Sequence, residues 1–348
     1  MTYGMTVLFI TLLLIVLLLI ILVLLFGYRN YGLVQSSAVW NKLIEEKVTL
    51  AILDDSTRIS QDPELTALTG NDHFKKIFLS VLIASEQKFS GDALHVLIDI
   101  FYAFGLDSLA WEKSRSSDNM KKVRGLQALT AMRVEKALPE IIPLLSHHDR
   151  SVVAEAQYAV VRFQGFEGFE FLKPLSSPLS EWQQLRLLQA VKDFRPAHMD
   201  LLEELLRHSN VSIVALALTL VRKFRVHSTH DSITTLLSHE HVEVRASAVR
   251  TLQSIENEST IPLLTAVYAD QDDRVKKAIM KALLKSLNRK STEFLKTVLA
   301  EGNVALQLLA AETLSALKET DYLRALLLKE TVPPQVQSVV KHALAIKL

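Results

Sequence analysis

A nine-residue pattern returns along this chain every 30 or 31 residues, and so regular a period admits few folds. The template is Val244-Arg245-Ala246-Ser247-Ala248-Val249-Arg250-Thr251-Leu252. It places Val244, Ala248 and Leu252 at i, i+4 and i+8, on one face of a helix. Counterparts start at Lys121, Val152, Gln183, Ile213, Val275, Leu306 and Val336. A unit this short cannot bury its apolar face alone, so neighbouring units must stack.

The columns give the architecture. The i+8 column reads Leu129, Val160, Val191, Val221, Leu252, Leu283, Leu314 and Leu344, all aliphatic. The i+4 column reads Gly125, Ala156, Leu187, Ala217, Ala248, Ile279, Ala310 and Val340, where small side chains let helices approach closely. Eight residues before each start stand Lys113, Leu144, Leu175, Leu205, Leu236, Val267, Val298 and Leu328. Those aliphatics predict a first helix packed on the second, and Lys113 marks the first unit as irregular. Three residues before each start stand Asp118, Asp149, Ser180, Asn210, His241, Asp272, Asn303 and Pro333. All but His241 and Pro333 are good N-caps for the second helix. With 10 Gly and 9 Pro in 348 residues, and no alternating apolar runs, no strand is expected. The fold class is therefore all-α.

Val244-Arg245-x-x-Ala248 behind a capping position resembles the HEAT repeat. The period near 31 is similar to the short bacterial variety found in phycobilin-lyase-type proteins. The resemblance covers about Ser116 to Leu348 and implies an α-solenoid of about eight helix pairs. The family's basic position after the anchor is kept as Lys122, Arg245 and Lys276 and replaced as Val153, Gln184, Val214, Gln307 and Gln337. HEAT arrays serve scaffolds, lyases, DNA-repair proteins and transport factors alike, so the resemblance specifies the fold more than the function.

Ahead of the array, Val7 to Phe26 is apolar except for Thr11. Twenty helical residues span about 30 Å, the hydrocarbon thickness of a bilayer. A cleaved signal would have a basic start and a shorter apolar run; Met1 to Thr6 has no Lys or Arg. A single-pass anchor is the expectation, in a bacterial inner membrane. Arg29, Lys42 and Lys47 on the C-terminal flank put the large domain on the cytoplasmic side. The expected layout is an anchor at 1–27, a tether at 28–36, a helical cap at 37–115 and the array at 116–348. Within the cap, Trp40, Ile44, Val48 and Ala51 share a helical face, and Asp62-Pro63-Glu64 starts a helix.

Chemistry is sparse. The chain has no cysteine, which removes disulfides, thiolate metal sites and cysteine nucleophiles. His208 and His239 fall five residues before their unit starts, with His147 and His148 in a similar turn, and one such row cannot converge on a metal when packed helices stand about 10 Å apart. Gly165-Phe166-Glu167-Gly168-Phe169 follows no strand, so it reads as a loop with aromatic plugs rather than a phosphate loop. Neither catalytic residues, nor a cofactor, nor a metal is expected.

The candidate surface is basic. Arg245, Arg250, Lys276, Lys277, Lys281 and Lys285 fall on the second helices of two adjacent units. In solenoids such helices line the face that takes partners. The net charge of +1 and the lack of interleaved aromatics argue against nucleic acid. A scaffold that binds an acidic or membrane-associated protein is the expected function. A lyase or chaperone acting on a chromophore or acceptor protein is the alternative.

Overall fold

The computed structural model describes residues 2–53, 59, 62–86, 88–89, 91–329 and 331–345, with the side chains of 2–12 and 22–36 outside that description. The side chains of the expected tether, and those of the apolar run except Leu13 to Ile21, therefore lie outside that description. Leu13 to Ile21 are exposed along α1 (Thr2–Leu53). Among the described residues no single helix is long and apolar enough to cross a membrane. They contain no strand either, and the chain is all-helical.

Two compact units divide the chain, residues 1–163 and 164–348. The first contains α1, α2 (Pro63–Leu68), α3 (Asp72–Glu86), α4 (Asp92–Ala103), α5 (Leu106–Ser114), α6 (Asn119–Ala131), α7 (Leu138–Ile141) and α8 (Arg150–Gln164). Here α3 packs on α1, α4 and α6, and α5 packs on α6. Ile44, Val48 and Ala51 of α1 are buried, as their spacing predicts. Trp40 meets Phe74 edge-on at 5.5 Å, and the aromatic contacts continue through Phe78 to Phe104. Asp62 caps α2 by accepting the N–H groups of Glu64 and Leu65 at 3.0 Å. Partial burial raises its pKa, but the Lys47 ammonium and those two amides outweigh it and hold the carboxyl below its ordinary value. Arg162 and Glu86, both nearly buried, join α8 to α3 at 2.7 Å.

The second unit is a ladder. Its first helices are α10 (Met199–Leu206), α12 (His230–Thr235), α14 (Thr260–Val267), α16 (Thr292–Glu301) and α18 (Thr320–Leu327). Its second helices are α9 (Glu181–Ala190), α11 (Val211–Phe224), α13 (Val242–Ser254), α15 (Asp273–Ser286), α17 (Val304–Ala316) and α19 (Pro334–Ala345). From α11 to α19 each second helix packs on the next, and each of these packs on its own first helix. The i+4 column is buried throughout and the i+8 column is buried except Leu344, which is half-buried. These two columns hold the array together by apolar burial, about 25 cal/mol per Å² removed from water.

The column of first helices is less uniform than the sequence suggests. Leu328 is 86% exposed, because α18 ends at Leu327 and buried Leu323 supplies the contact instead. Gly165 to Leu172 forms 3₁₀ turns whose Phe166 and Phe169 are fully buried, as expected of aromatic plugs. Five of the six expected caps bond backbone amides of their own helix: Asp118, Asp149, Ser180, Asn210 and Asn303. Asp272 does not, because its carboxylate pairs with Arg245 of the preceding repeat.

The second helices also stop in a shared way. Arg133, Arg225, Leu287 and Lys318 take positive φ of 51–67°, and so does Gly165. The following amide then reaches the carbonyl five residues back: Val134 to Leu129, Val226 to Val221 and Glu319 to Leu314. This closing motif satisfies carbonyls that a helix end would leave bare. No glycine announces it at four of these positions.

Candidate functional site

The unit starts that point inward also determine what points outward. In α15, Val275, Ile279, Met280 and Leu283 are buried, so Lys277, Lys281 and Lys285 project to the opposite side. With Arg274 they form a row at intervals of three and four residues, about 16 Å long. The facing wall is α13, which supplies exposed Arg250 with Gln253 and Ser254. Arg222 of α11 and the small Ala278 and Ala282 complete the lining of a cavity of about 640 Å³. Among the described residues no carboxylate lines it.

Arg222 holds the floor. Its Nη1 donates to Thr251 Oγ1 at 2.7 Å and Ser247 Oγ at 3.1 Å, and its Nη2 donates to Thr219 Oγ1 at 2.7 Å. Thr251 and Ser247 are buried. The guanidinium is thus half-buried on three neutral hydroxyls. Burial, and then the charge of Arg250, pull its pKa down to about 10. Among the described residues Arg222, Arg250, Lys277, Lys281 and Lys285 have no acidic partner, while Arg274 pairs with Glu243.

The six residues expected at the candidate surface therefore separate. Arg250, Lys277, Lys281 and Lys285 converge on the groove. Arg245 and Lys276 do not. The Arg245 guanidinium donates to the carbonyls of His239 and Glu240, to Gln271 Oε1 at 3.0 Å and to Asp272, so it stitches two successive turns together. Lys276 lies over the Tyr268 ring at 5.6 Å. Both occupy the position just after the unit start, whereas groove residues occupy the positions two, six and ten residues after it. Sequence reasoning missed Arg222 and Arg274. Column arithmetic would have exposed Arg274, one residue before its start; nothing in the sequence singles out Arg222.

The turn histidines have a local task. Nδ1 of His147, His208 and His239 accepts the N–H of the residue two places on, at 3.1, 2.9 and 3.1 Å. In His208 this leaves the proton on Nε2, which donates to the Lys173 carbonyl at 3.0 Å. Among the described residues no group of three metal-binding side chains converges. A second hollow of about 580 Å³ contains Asp200, Glu203 and Glu204, but Arg207 and Lys173 neutralise it at 2.8 and 2.9 Å. In the basic groove Arg274 is compensated by Glu243, and among the described residues its other cations have no acidic partner.

A family model described as HEAT repeats matches residues 199–284, which contain every groove residue but Lys285. No curated protein matches the sequence. Among solved structures, one engineered protein is 15% identical and covers 86% of this chain and 87% of its own, with a TM-score of 0.32. Another is 13% identical and covers 81% of this chain and 94% of its own, with a TM-score of 0.21. Scores this low carry no argument, so the fold rests on the helix pairs described above and on the matched segment.

Proposed function

We propose that this chain is a single-pass membrane scaffold whose second unit captures an acidic segment of a partner protein, and that it is not an enzyme. HEAT repeats are generally protein-interaction scaffolds. The observation that carries the reading here is the row of cations along α15 and α13, of which Arg250, Lys277, Lys281 and Lys285 have no acidic partner among the described residues. Like charges on one helix face repel, so an empty groove of this kind costs stability that an acidic ligand returns. Its length of about 16 Å matches roughly five residues of extended peptide. A flat bilayer surface cannot reach Arg222 on the floor, and no aromatic side chain lines the groove to stack bases. The apolar run at Val7 to Phe26 supports an anchor, and Arg29, Lys42 and Lys47 support a cytoplasmic array. Anchoring would raise the local concentration of scaffold for membrane-bound partners without any added contact.

A photocrosslinking side chain placed at Ala278, in the groove, tests this in native membranes. The expected product is a discrete protein adduct that disappears when Lys277, Lys281 and Lys285 are all changed to Glu. Adducts to lipid alone, or a protein adduct indifferent to the charge reversal, would overturn the reading.

A further inference from the structure

The lysine row would hold any acidic segment, but the Arg222 end of the groove is built differently. A guanidinium carries five N–H donors. Hydroxyls occupy three of those on Arg222, and the rest have no partner among the described residues. Two of the three hydroxyls are committed in turn. Thr251 Oγ1 donates to the Ser247 carbonyl at 2.8 Å and Thr219 Oγ1 to the Ala215 carbonyl at 2.9 Å. The guanidinium plane is therefore fixed before any ligand arrives. Arg250 lines the same cavity, close enough for its charge to act on Arg222, and neither has a carboxylate partner.

Two arginines facing one space without a counter-ion are matched by a group with two negative charges and several acceptor oxygens. A carboxylate brings one charge. A phosphomonoester brings about −1.5 to −2 at neutral pH and three strong acceptors. The fixed fork of an arginine suits such an oxyanion better than a flexible ammonium does.

We infer that Arg222 and Arg250 form a seat for a phosphoryl group on the bound segment, so that the groove reads a phosphoserine or phosphothreonine within an acidic stretch of the partner. The inference rests on the scaffold reading above. Lys277, Lys281 and Lys285 would hold the flanking acidic residues, and the arginine pair would sense the modification.

Fluorescence anisotropy on the full chain in detergent separates the two ideas. The probes are three short peptides of the same Glu- and Asp-rich sequence with a central serine, phosphoserine or glutamate. The phosphoserine peptide is expected to bind at least tenfold more tightly than the glutamate peptide. Arg222→Lys and Arg222→Gln should each erase that preference while leaving the glutamate peptide bound. Arg250→Gln, at an exposed position, should erase it too and serves if the Arg222 variants do not fold. Equal binding of phosphoserine and glutamate peptides overturns the inference and leaves the scaffold reading standing. So does a preference that survives Arg250→Gln. Inorganic phosphate binding as tightly as the phosphopeptide would assign the seat to the free ion and overturn it. Vesicles rich in phosphatidic acid binding in an Arg222-dependent way would overturn it in favour of a lipid headgroup. Failure of all three peptides to bind would bring down both.

Discussion

Ala248→Asp is expected to destabilise the second unit by several kcal/mol, while Arg250→Ala two residues on should cost about 0.5 kcal/mol or less. Ala248 is 0% exposed on α13, which packs against both α11 and α15. A carboxylate there would be taken out of water with no cation or donor provided for it. The helices must then part, or the group must take up a proton, and either outcome weakens both neighbouring contacts. Arg250 is exposed and makes no ion pair, so its truncation removes only solvated atoms. Because repeat arrays couple through nearest neighbours, amide protection should fall most across α11, α13 and α15 and least in α8. Hydrogen exchange on the two variants gives the comparison. Unchanged protection in Ala248→Asp with lost protection in Arg250→Ala would mean that the helical register is wrong.

The other large effect is expected at Gly125, where α6 meets α5. A Cβ there would stand 2.1 Å from Ser114 N, 2.6 Å from Ser114 Cα and 2.7 Å from the Lys113 carbonyl carbon. All three are backbone atoms of α5, so no side chain can swing away. Gly125→Ala should force the two helices apart and cost about 3 kcal/mol, the upper end for overpacking, and Gly125→Val should cost more. Gly105 is the contrast. Its Cβ would meet nothing within 4 Å, but its φ of +62° is left-handed, so Gly105→Ala should cost about 1 kcal/mol from strain alone. Urea unfolding measures both, and a smaller loss at Gly125 than at Gly105 would contradict the close approach of α5 and α6.

The fold was legible because its signal is a period. Valine, alanine and leucine recurring at Val244, Ala248 and Leu252 report a buried face wherever they recur, and the structure buries those columns almost without exception. What the period does not carry is where each helix stops. Leu328 is aliphatic and in register, yet α18 ends just before it and leaves it in solvent. The left-handed closures at Arg133, Arg225 and Leu287 carry no glycine to mark them. Asp272 has the right side chain for a cap, but Arg245 from the previous repeat draws it away, a contact across 27 residues that no local rule contains.

The groove was legible only as a concentration of charge. Counting cations on two helices brought Arg245 and Lys276 together with Arg250 and Lys281, although one helical turn places them on different sides. A charge is functional or structural according to its column and to what faces it. Arg245 is consumed by the turns and Lys276 leans on Tyr268, while Arg250, Lys277, Lys281 and Lys285 of the groove are left open. Arg222 sits one repeat earlier, and its role depends on hydroxyls that α13 brings to it.

Titrating a fluorescent Glu-rich peptide into the full chain at rising salt tests most directly whether the α13–α15 groove is the partner's seat. Binding should weaken steadily as salt screens the cations. The combined Lys277→Glu, Lys281→Glu and Lys285→Glu variant should lose it by at least a hundredfold. Arg289→Glu, an exposed basic residue outside the groove, should stay within about twofold. Native-like affinity in the triple variant, or no binding by the unaltered chain at the lowest salt, would contradict it.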